Sequence, residues 1–370
     1  MTATTKLLLC GDVMTGRGVD QIMPRSCPPQ LYEPVARSAR EYVALAERAH
    51  GPVPRQVDHA YVWGDALAIC DEERPDARFV NLETAVTTSE DAAPKGINYR
   101  MHPGNVPLLS AAGIDCCTLA NNHVLDWGDA GLLETLDVLE HAGILTAGAG
   151  RDQERAQAPA IVNATDRTRV LVFAYGALDS GVPNTWSARS DRPGVNVLAD
   201  FSRTAVEHLA DAVTGMANDD DIVVASIHWG PNWGYEIPTP HRRFAHDVID
   251  RARVDVVWGH SSHHPMAIEI HAGRPILYGC GDLLNDYEGI PGHEAFRADL
   301  TLMYFLTFED TSRRLVELAM RPLQIRRFRL GRASRGDARW LRSVLERECA
   351  PFGHRTRLRG DGFELEWAHT

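Results

Sequence analysis

The sequence lacks three features that would each place it in a particular class of protein. Basic residues are outnumbered by acidic ones, with 38 Lys and Arg against 50 Asp and Glu. The resulting formal net charge of −12 excludes a nucleic-acid binder that relies on bulk basicity. No apolar run approaches the roughly 20 residues that span a bilayer, and the N-terminal residues have no secretory signal peptide. Cysteine is sparse and odd in number, seven in 370 residues, which argues against a disulfide scaffold. These absences predict a cytoplasmic protein that binds neither nucleic acid nor membrane.

Short apolar runs rich in Val, Ile and Leu recur along the chain, with amphipathic stretches between them. Runs of this length are typical of buried strands, so the pattern predicts an α/β fold. The runs lie at residues 7–9, 79–80, 114–119, 170–175, 222–227 and 254–258. We expect further elements in the form of helices over 129–142, 201–216 and 335–347, a hairpin over 267–280, and a strand pair over 300–309 and 315–330.

No break in composition divides the chain, so we expect a single domain over residues 1–370. Its core would cover about residues 6–310, and residues 311–370 would form a C-terminal strand and helix extension. Three segments rich in Pro, Gly and polar residues are long for plain connections and are expected to wall a pocket. They are residues 24–64, 87–103 and 178–193.

Side chains able to bind a metal follow most of the apolar runs. Ligands in open α/β sheets collect outside the carboxyl ends of the strands, so these side chains are expected to converge. They are Asp12, Glu83, Asn122, His228 and His260. Carboxylate, amide and imidazole groups without a thiolate favour a hard or borderline divalent ion, namely Mg, Ca, Mn, Fe or Zn.

The run Gly-His-Ser-Ser-His-His-Pro at residues 259–265 is the most specific single motif. Three histidines just beyond a strand, closed by proline, are difficult to explain as core packing. One of His263 or His264 can supply a further nitrogen ligand, since neighbouring residues in an extended segment point opposite ways. We assign His264 to the metal and His263 to the catalytic groups.

Taken together, these motifs resemble the CapA family, which is named after a capsule poly-γ-glutamate synthesis protein. The similarity covers about residues 6–310 and includes Gly-Asp-Val-Met-Thr-Gly-Arg at 11–17, Asn-Leu-Glu at 81–83, Ala-Asn-Asn-His at 120–123, His-Trp-Gly at 228–230 and Gly-His at 259–260. The resemblance implies the calcineurin-like metallophosphoesterase fold, a four-layer α/β/β/α sandwich with metals at the carboxyl ends of its strands. It implies a metal surrounded by Asp12, Glu83, Asn122, His228 and His260. It also implies acid–base chemistry by His123, with Asp126 as the residue that orients it.

The sequence departs from the two-metal phosphoesterase pattern at Met14, where that superfamily has histidine. A thioether is a poor ligand for a hard ion, and two-metal hydrolysis needs two ions roughly 3.5–4 Å apart. We therefore expect one divalent ion. An oxygen-rich and water-rich site favours Ca, Mg or Mn, with Zn or Fe as alternatives.

A single metal flanked by His–Asp pairs can support epimerisation. A cation that holds a carboxylate stabilises the charge that develops when the neighbouring Cα loses its proton, and two bases on opposite faces then invert that carbon. His123 with Asp126 would serve one face. The candidates for the other face remain open: His260, His263 or His293, with Asp12, Asp282 or Asp286.

The CapA-like family includes cytoplasmic lasso-peptide enzymes that epimerise the C-terminal Trp of a precursor peptide, and the sequence is similar to that branch. This resemblance predicts a metal-dependent isomerase whose partner is a precursor peptide. Aromatic residues beside the motifs could stack on an indole: Tyr99, Trp127, Trp229, Trp233 and Tyr235. Other candidate substrate-binding residues are Arg17, Lys95, Arg100, Asp282, Asn285 and Asp286. Two alternatives stay open, a metallophosphoesterase-type hydrolase and an accessory protein of poly-γ-glutamate capsule biosynthesis.

Overall fold

The computed structural model describes residues 3–368. Its strands, in chain order, are β1 (Thr4–Val13), β2 (Ala77–Leu82), β3 (Ala85–Val86), β4 (Arg100–Met101), β5 (Cys116–Thr118), β6 (Leu145–Ala147), β7 (Ala149–Gly150), β8 (Ala160–Asn163), β9 (Arg169–Ala177), β10 (Gly194–Val195), β11 (Val197–Leu198), β12 (Ile222–His228), β13 (Val256–His260), β14 (Ile268–His271), β15 (Arg274–Leu277), β16 (Asp282–Leu284), β17 (Leu300–Glu309), β18 (Leu315–Arg326), β19 (Arg329–Arg332), β20 (Arg355–Arg359) and β21 (Gly362–Glu366).

The α-helices of the same residues are α1 (Arg17–Asp20), α2 (Ala39–His50), α3 (Asp65–Glu73), α4 (Pro107–Ala111), α5 (Gly128–His141), α6 (Gln153–Gln157), α7 (Arg203–Met216), α8 (Thr239–Ala252) and α9 (Arg335–Cys349). Between residues 3 and 368, none of the helices has the length and apolar character needed to cross a membrane.

Two large sheets form the centre of the molecule. The first has the order β20-β21-β18-β17-β1-β2-β5-β6, with β16 beside β1 and β19 beside β18. The second has the order β11-β9-β12-β13-β15-β14, with β8 beside β9. Strands β1, β2, β5 and β6 run parallel in the first sheet, and β9, β12, β13 and β15 run parallel in the second. Both sheets therefore gather several carboxyl strand ends at one edge.

Strand β1 changes its neighbour part-way along its length. From Thr4 to Leu9 it pairs with the antiparallel β17, and from Asp12 onward it pairs with the parallel β16. The change opens the first sheet beside Asp12 and sets that residue opposite Asp282. This is the kind of crevice in which ligands of α/β sheets bind.

The two sheets pack face to face, and helices cover their outer faces. Strand β1 contacts β13, and the indole of Trp258 donates a hydrogen bond to the carbonyl oxygen of Cys10 at 3.0 Å. Helix α5 packs on β6 of the first sheet, while α8 packs on β13 of the second and against α7. A continuous apolar core, which includes the fully buried Leu7 and Val257, joins the two sheets. The predicted α/β/β/α sandwich is therefore confirmed.

Most of the predicted elements are confirmed, but one of the predicted loops is wrong. The segment 24–64 contains α2, which begins at a capping box formed by Ser38 and Glu41 and buries Tyr42 and Val43. The capping signal and the apolar spacing are both legible in the sequence. Helix α8 and the hairpin β20–β21 were also not predicted.

Candidate metal centre

A buried cluster of carboxylates and imidazoles lies where the strand ends of the two sheets meet. Asp12 comes from the end of β1, Glu83 directly follows β2, His228 ends β12 and His260 ends β13. His228 and His260 are direct neighbours in the parallel register of β12 and β13. The expected convergence of these four side chains is thus present in the structure.

Gly11 allows the close approach of β1 to β16 that brings Asp12 beside Asp282. A Cβ atom at position 11 would lie 1.7 Å from the carbonyl oxygen of Gly281. No residue with a side chain fits there, because the obstacle is backbone. The glycine before Asp12 is therefore part of how the site is built.

Asp12 is shared by two groups of potential ligands. One group is Asp12, Glu83 and His228, and the other is Asp12, His263 and Asp282; within each, the donor atoms lie within 4.8 Å of one another. All five side chains are buried. A carboxylate common to two such groups is the natural centre of a cation site.

The electrostatics of the cluster fit a bound cation. Burial, together with the charges of Asp12 and Asp282, raises the pKa of Glu83 well above its usual range. Burial also opposes ionisation of Asp12, but the neighbouring His260 and His228 hold the pKa of Asp12 well below its usual value. The Oε2 atom of Glu83 is buried and has no hydrogen-bond partner among the described residues. A divalent ion would neutralise these carboxylates and take up that free oxygen.

Neutral side chains hold the ligands in place. Asn81 donates from Nδ2 to Asp12 Oδ1 at 2.7 Å, and the backbone N–H of Ser261 donates to Asp12 Oδ2 at 3.2 Å. His228 Nε2 lies 3.1 Å from Asn122 Oδ1 and 3.8 Å from Glu83 Oε1. Asn122 is thus brought to the cluster as expected. Asn81 was missed by the sequence reasoning, although it belongs to the Asn-Leu-Glu motif that supplied Glu83.

The first histidine–carboxylate pair lies next to Glu83. His123 Nδ1 lies 2.6 Å from Asp126 Oδ2, and His123 Nε2 lies 3.7 Å from Glu83 Oε1. Asp126 also accepts hydrogen bonds from Lys95 Nζ at 2.7 Å and from the backbone N–H of Tyr99 at 2.6 Å. Burial lowers the pKa of His123 to about 4, against the opposing effect of Asp126. The imidazole is therefore neutral at pH 7, with Nε2 facing the cluster.

The second pair lies next to Asp12. His263 Nδ1 lies 2.8 Å from Asp282 Oδ1, and Asn285 donates to Asp282 Oδ2 at 2.8 Å. His263 Nε2 is 3.0 Å from Asn232 Nδ2 and 3.4 Å from the hydroxyl of Tyr287. Burial would lower the pKa of His263, but Asp282 outweighs it and the pKa is raised. The two histidines thus differ in their preferred protonation states.

The assignment of His264 to the metal is wrong in this geometry. Its Nε2 accepts a hydrogen bond from the backbone N–H of Gly234 at 3.2 Å, and its ring packs against Tyr235 at 4.5 Å between centroids. His263 takes the place beside Asp12 instead. His293 stacks on Trp233 at 4.0 Å, so it belongs to an aromatic group next to His263 rather than to a histidine–carboxylate pair.

Three of the expected aromatic platforms are core residues: Tyr99, which is 1% exposed, Trp127 and Trp229. Trp127 is 2% exposed and donates its indole N–H to the carbonyl of Tyr99, and Trp229 is 3% exposed and donates to the carbonyl of Tyr278. Trp229 follows His228 directly, so its side chain points away from the cluster and stacks on His241. Neither indole is free to stack on a substrate.

Two of the candidate substrate-binding residues, Arg17 and Arg100, are occupied by contacts with other protein groups. Arg17 is buried, pairs with Asp286 at 2.5 Å and with Glu33 at 3.0 Å, and lies over the buried ring of Tyr99. This ion pair also removes Asp286 from the candidate catalytic groups. Arg100 lies over the Trp127 ring at 3.8 Å and donates to backbone carbonyls. The half-buried Lys95, Trp233 and Tyr235 remain accessible beside the cluster.

The chain is similar to known proteins. Residues 6–287 match the family described as "Bacterial capsule synthesis protein PGA_cap". The chain belongs to the PGA_cap family. It is 48% identical over 357 residues to a "Probable polyglutamine synthesis accessory protein" of Mycobacterium tuberculosis, which covers 96% of this chain and 94% of that protein.

A second relative is more distant. The "PGA biosynthesis protein CapA" of Bacillus subtilis is 24% identical over 305 residues, with 82% of this chain and 68% of that protein covered. Among solved structures, a phosphatase from Mycoplasma pneumoniae matches at 12% identity with a TM-score of 0.46, over 88% of this chain and 95% of the other.

Proposed function

We propose that this protein is a metal-dependent accessory enzyme in the synthesis of a glutamate or glutamine polymer, and that it cleaves amide bonds of that polymer. One observation carries the proposal: a buried cation site lies between two histidine–carboxylate pairs, with His123–Asp126 beside Glu83 and His263–Asp282 beside Asp12. The names of the two relatives supply the polymer. The same names favour the capsule alternative over the lasso-peptide epimerase as the biological setting.

A single cation would be held by Asp12, Glu83 and His228, with Asn122 and His260 adjoining. When bound, it would neutralise the carboxylates and polarise a carbonyl or carboxylate of the substrate. The oxygen and imidazole ligands suit Mg, Mn or Ca, and also Zn or Fe.

The protein's own groups supply a base and an acid. Asp126 can only accept, so it fixes the proton of His123 on Nδ1 and leaves Nε2 free to take a proton from a nucleophilic water. His263, paired with Asp282, is suited to give a proton to the departing amine. Lys95 and the aromatic group around Trp233 would contact the polymer beside these two histidines.

Metal-loaded protein incubated with poly-γ-glutamate, or with a polyglutamine peptide of defined length, in deuterated water tests the proposal. We expect shorter chains by mass spectrometry, one new amine for each cut, and loss of both with chelator or in His123→Ala. The exposed His208→Ala serves as the matched control and should retain activity. Unchanged chain length with both polymers would overturn amide cleavage.

Peptide epimerisation is the second candidate, because the two histidine–carboxylate pairs flank Glu83 and Asp12 respectively. Epimerisation predicts that deuterium is incorporated at Cα while the length of the chain stays unchanged. The deuterium would be found in the polymers above or at the C-terminal Trp of a lasso precursor peptide. Hydrolysis of bis(p-nitrophenyl) phosphate in place of either reaction would favour the phosphoesterase alternative.

A further inference from the structure

A second cluster of metal-binding side chains lies between α8 and the edge strand β14, away from the candidate metal centre. His246 and Asp250 are four residues apart on α8 and so share one helical face. Glu269 and His271 are two residues apart on β14 and so share one face of the strand. These two faces are turned towards each other, which brings the four side chains together.

The contacts within the cluster are close and directed. His246 Nε2 lies 2.9 Å from Glu269 Oε1, and His271 Nε2 lies 2.9 Å from Asp250 Oδ1. The rings of His246 and His271 stack at 3.9 Å with an angle of 5° between their planes. Donor atoms of His246, Glu269 and His271 all lie within 4.8 Å of one another.

Neighbouring groups hold the cluster while leaving it open to an ion. Tyr278 donates to Glu269 Oε2 at 2.7 Å, so Oε1 is the oxygen directed at His246. Strand β14 is anchored by backbone hydrogen bonds to Cys349 Sγ and to His354 Nε2. The side chains of His246 and His271 are 27% and 25% exposed, so an ion can enter from solvent.

The charge balance also favours a cation. Glu269 and Asp250 bring two carboxylates, against Arg242, whose guanidinium reaches Glu269 at 3.4 Å and is itself half exposed. Two imidazoles with one or two carboxylates form a ligand set typical of zinc and similar transition metals. The candidate centre around Asp12 has more carboxylate oxygens and is suited to harder ions.

We propose that His246, Glu269 and His271 bind a transition-metal ion such as Zn²⁺, with Asp250 completing or supporting the site. The ion would clamp α8 to the edge of the second sheet. Its role is structural and independent of the chemistry proposed for the centre at Asp12.

Zinc bound per chain, measured by equilibrium dialysis of the full chain after chelator treatment, tests the proposal. We expect His271→Gln, and separately His246→Gln, to bind one equivalent less than the wild type. His208→Gln, on the neighbouring α7, should bind as much as the wild type. Asp12→Asn should lose ions from the other centre and keep this one.

The melting temperature gives an independent readout that separates binding from folding. Zinc should raise the melting temperature of Asp12→Asn but not that of the double variant Asp12→Asn/His271→Gln, while the two have similar melting temperatures in chelator. Equal zinc equivalents and equal zinc-induced shifts with and without His271 would overturn the proposal.

Discussion

Asp12 is the side chain on which the candidate metal centre depends most, because it belongs to both ligand groups. Asp12→Asn keeps the shape and removes the charge. Loss of an outer partner of a metal ligand lowers affinity by about 10–100-fold, so loss of this ligand should lower it by at least about 100-fold. Mn²⁺ titration followed by electron paramagnetic resonance measures the affinity. The exposed Asp211→Asn, on α7, serves as the matched surface control and should bind as the wild type does. Unchanged affinity in Asp12→Asn would show that the ion binds elsewhere.

Replacing glycine by alanine is expected to have opposite effects on the free energy of unfolding at positions 11 and 215. Gly11→Ala places a Cβ 1.7 Å from a backbone oxygen and should lower the free energy of unfolding by at least about 3 kcal/mol. Gly215, on α7, has open space around its Cα, so Gly215→Ala should raise the free energy of unfolding by about 0.5–1 kcal/mol. Urea denaturation measures both. A Gly11→Ala variant as stable as the wild type would contradict the tight β1–β16 contact.

Individual site residues were predictable where a strand runs straight into the site. Asp12, His228 and His260 are at strand ends. The sheet edge brings them together independently of the conformation of the loops. The assignment of His264 rather than His263 to the metal was wrong, because Ser261 has φ +87 and ends the alternation of the strand. By contrast, the inward position of Trp229 follows from its adjacency to His228 and could have been predicted.

At the scale of elements, a buried carboxylate ties β9 to β12. Asp221, just before β12, accepts from Arg169 Nε at 2.9 Å and from the backbone N–H of Asn218 at 2.6 Å. Burial opposes ionisation of Asp221, but the hydrogen bonds from Arg169 and from the backbone of Asn218, together with the charge of Arg169, outweigh it and the pKa is lowered. Stabilisation from such a group is present above the unfolded pKa, about 3.9, and is lost as the pH falls through the folded pKa.

Asp221→Asn should therefore lower the melting temperature at pH 7. The decrease relative to the wild type should be smaller at acid pH. Arg169 is 34% exposed, so water screens the pair and the expected decrease is about 2–4 °C. Scanning calorimetry at pH 7 and pH 3 should show the difference from the wild type shrinking as the pH falls. A difference that grows in acid would mean that Asp221 is not ionised in the folded protein.

Strands were easier to predict than helices in this protein. The strands are buried on both faces and stand out as continuous apolar runs, whereas α2 and α8 present mainly charged and small residues with a narrow apolar stripe. The hairpin β20–β21 carries alternating charges on an exposed face and pairs with β18 through only two residue pairs. Its position depends on a tertiary contact that no local pattern in the sequence records.

At the scale of the whole molecule, the strands beyond the family match are part of the structure that supports the candidate metal centre. The match ends at residue 287, but β17 pairs with β1 from Thr4 to Leu9. A chain that ends at residue 287 would expose the edge of β1 from Thr4 to Leu9, including three buried leucines. We expect such a chain to be insoluble or to lack a cooperative unfolding transition by circular dichroism. Cooperative unfolding together with cation binding would contradict this prediction.

The pairing of β1 with β17 also has a consequence for the order of events during translation. The hydroxyl of Thr5 bonds to Asp310, which lies 305 residues later. At about 5–20 residues per second, a ribosome needs on the order of 15–60 s to deliver that partner. Strands β2, β5 and β6 emerge earlier and can assemble with β1. The apolar edge of β1 that pairs with β17 stays unpaired until β17 has been synthesised. A nascent chain in this state is a natural client for chaperones that bind exposed strands.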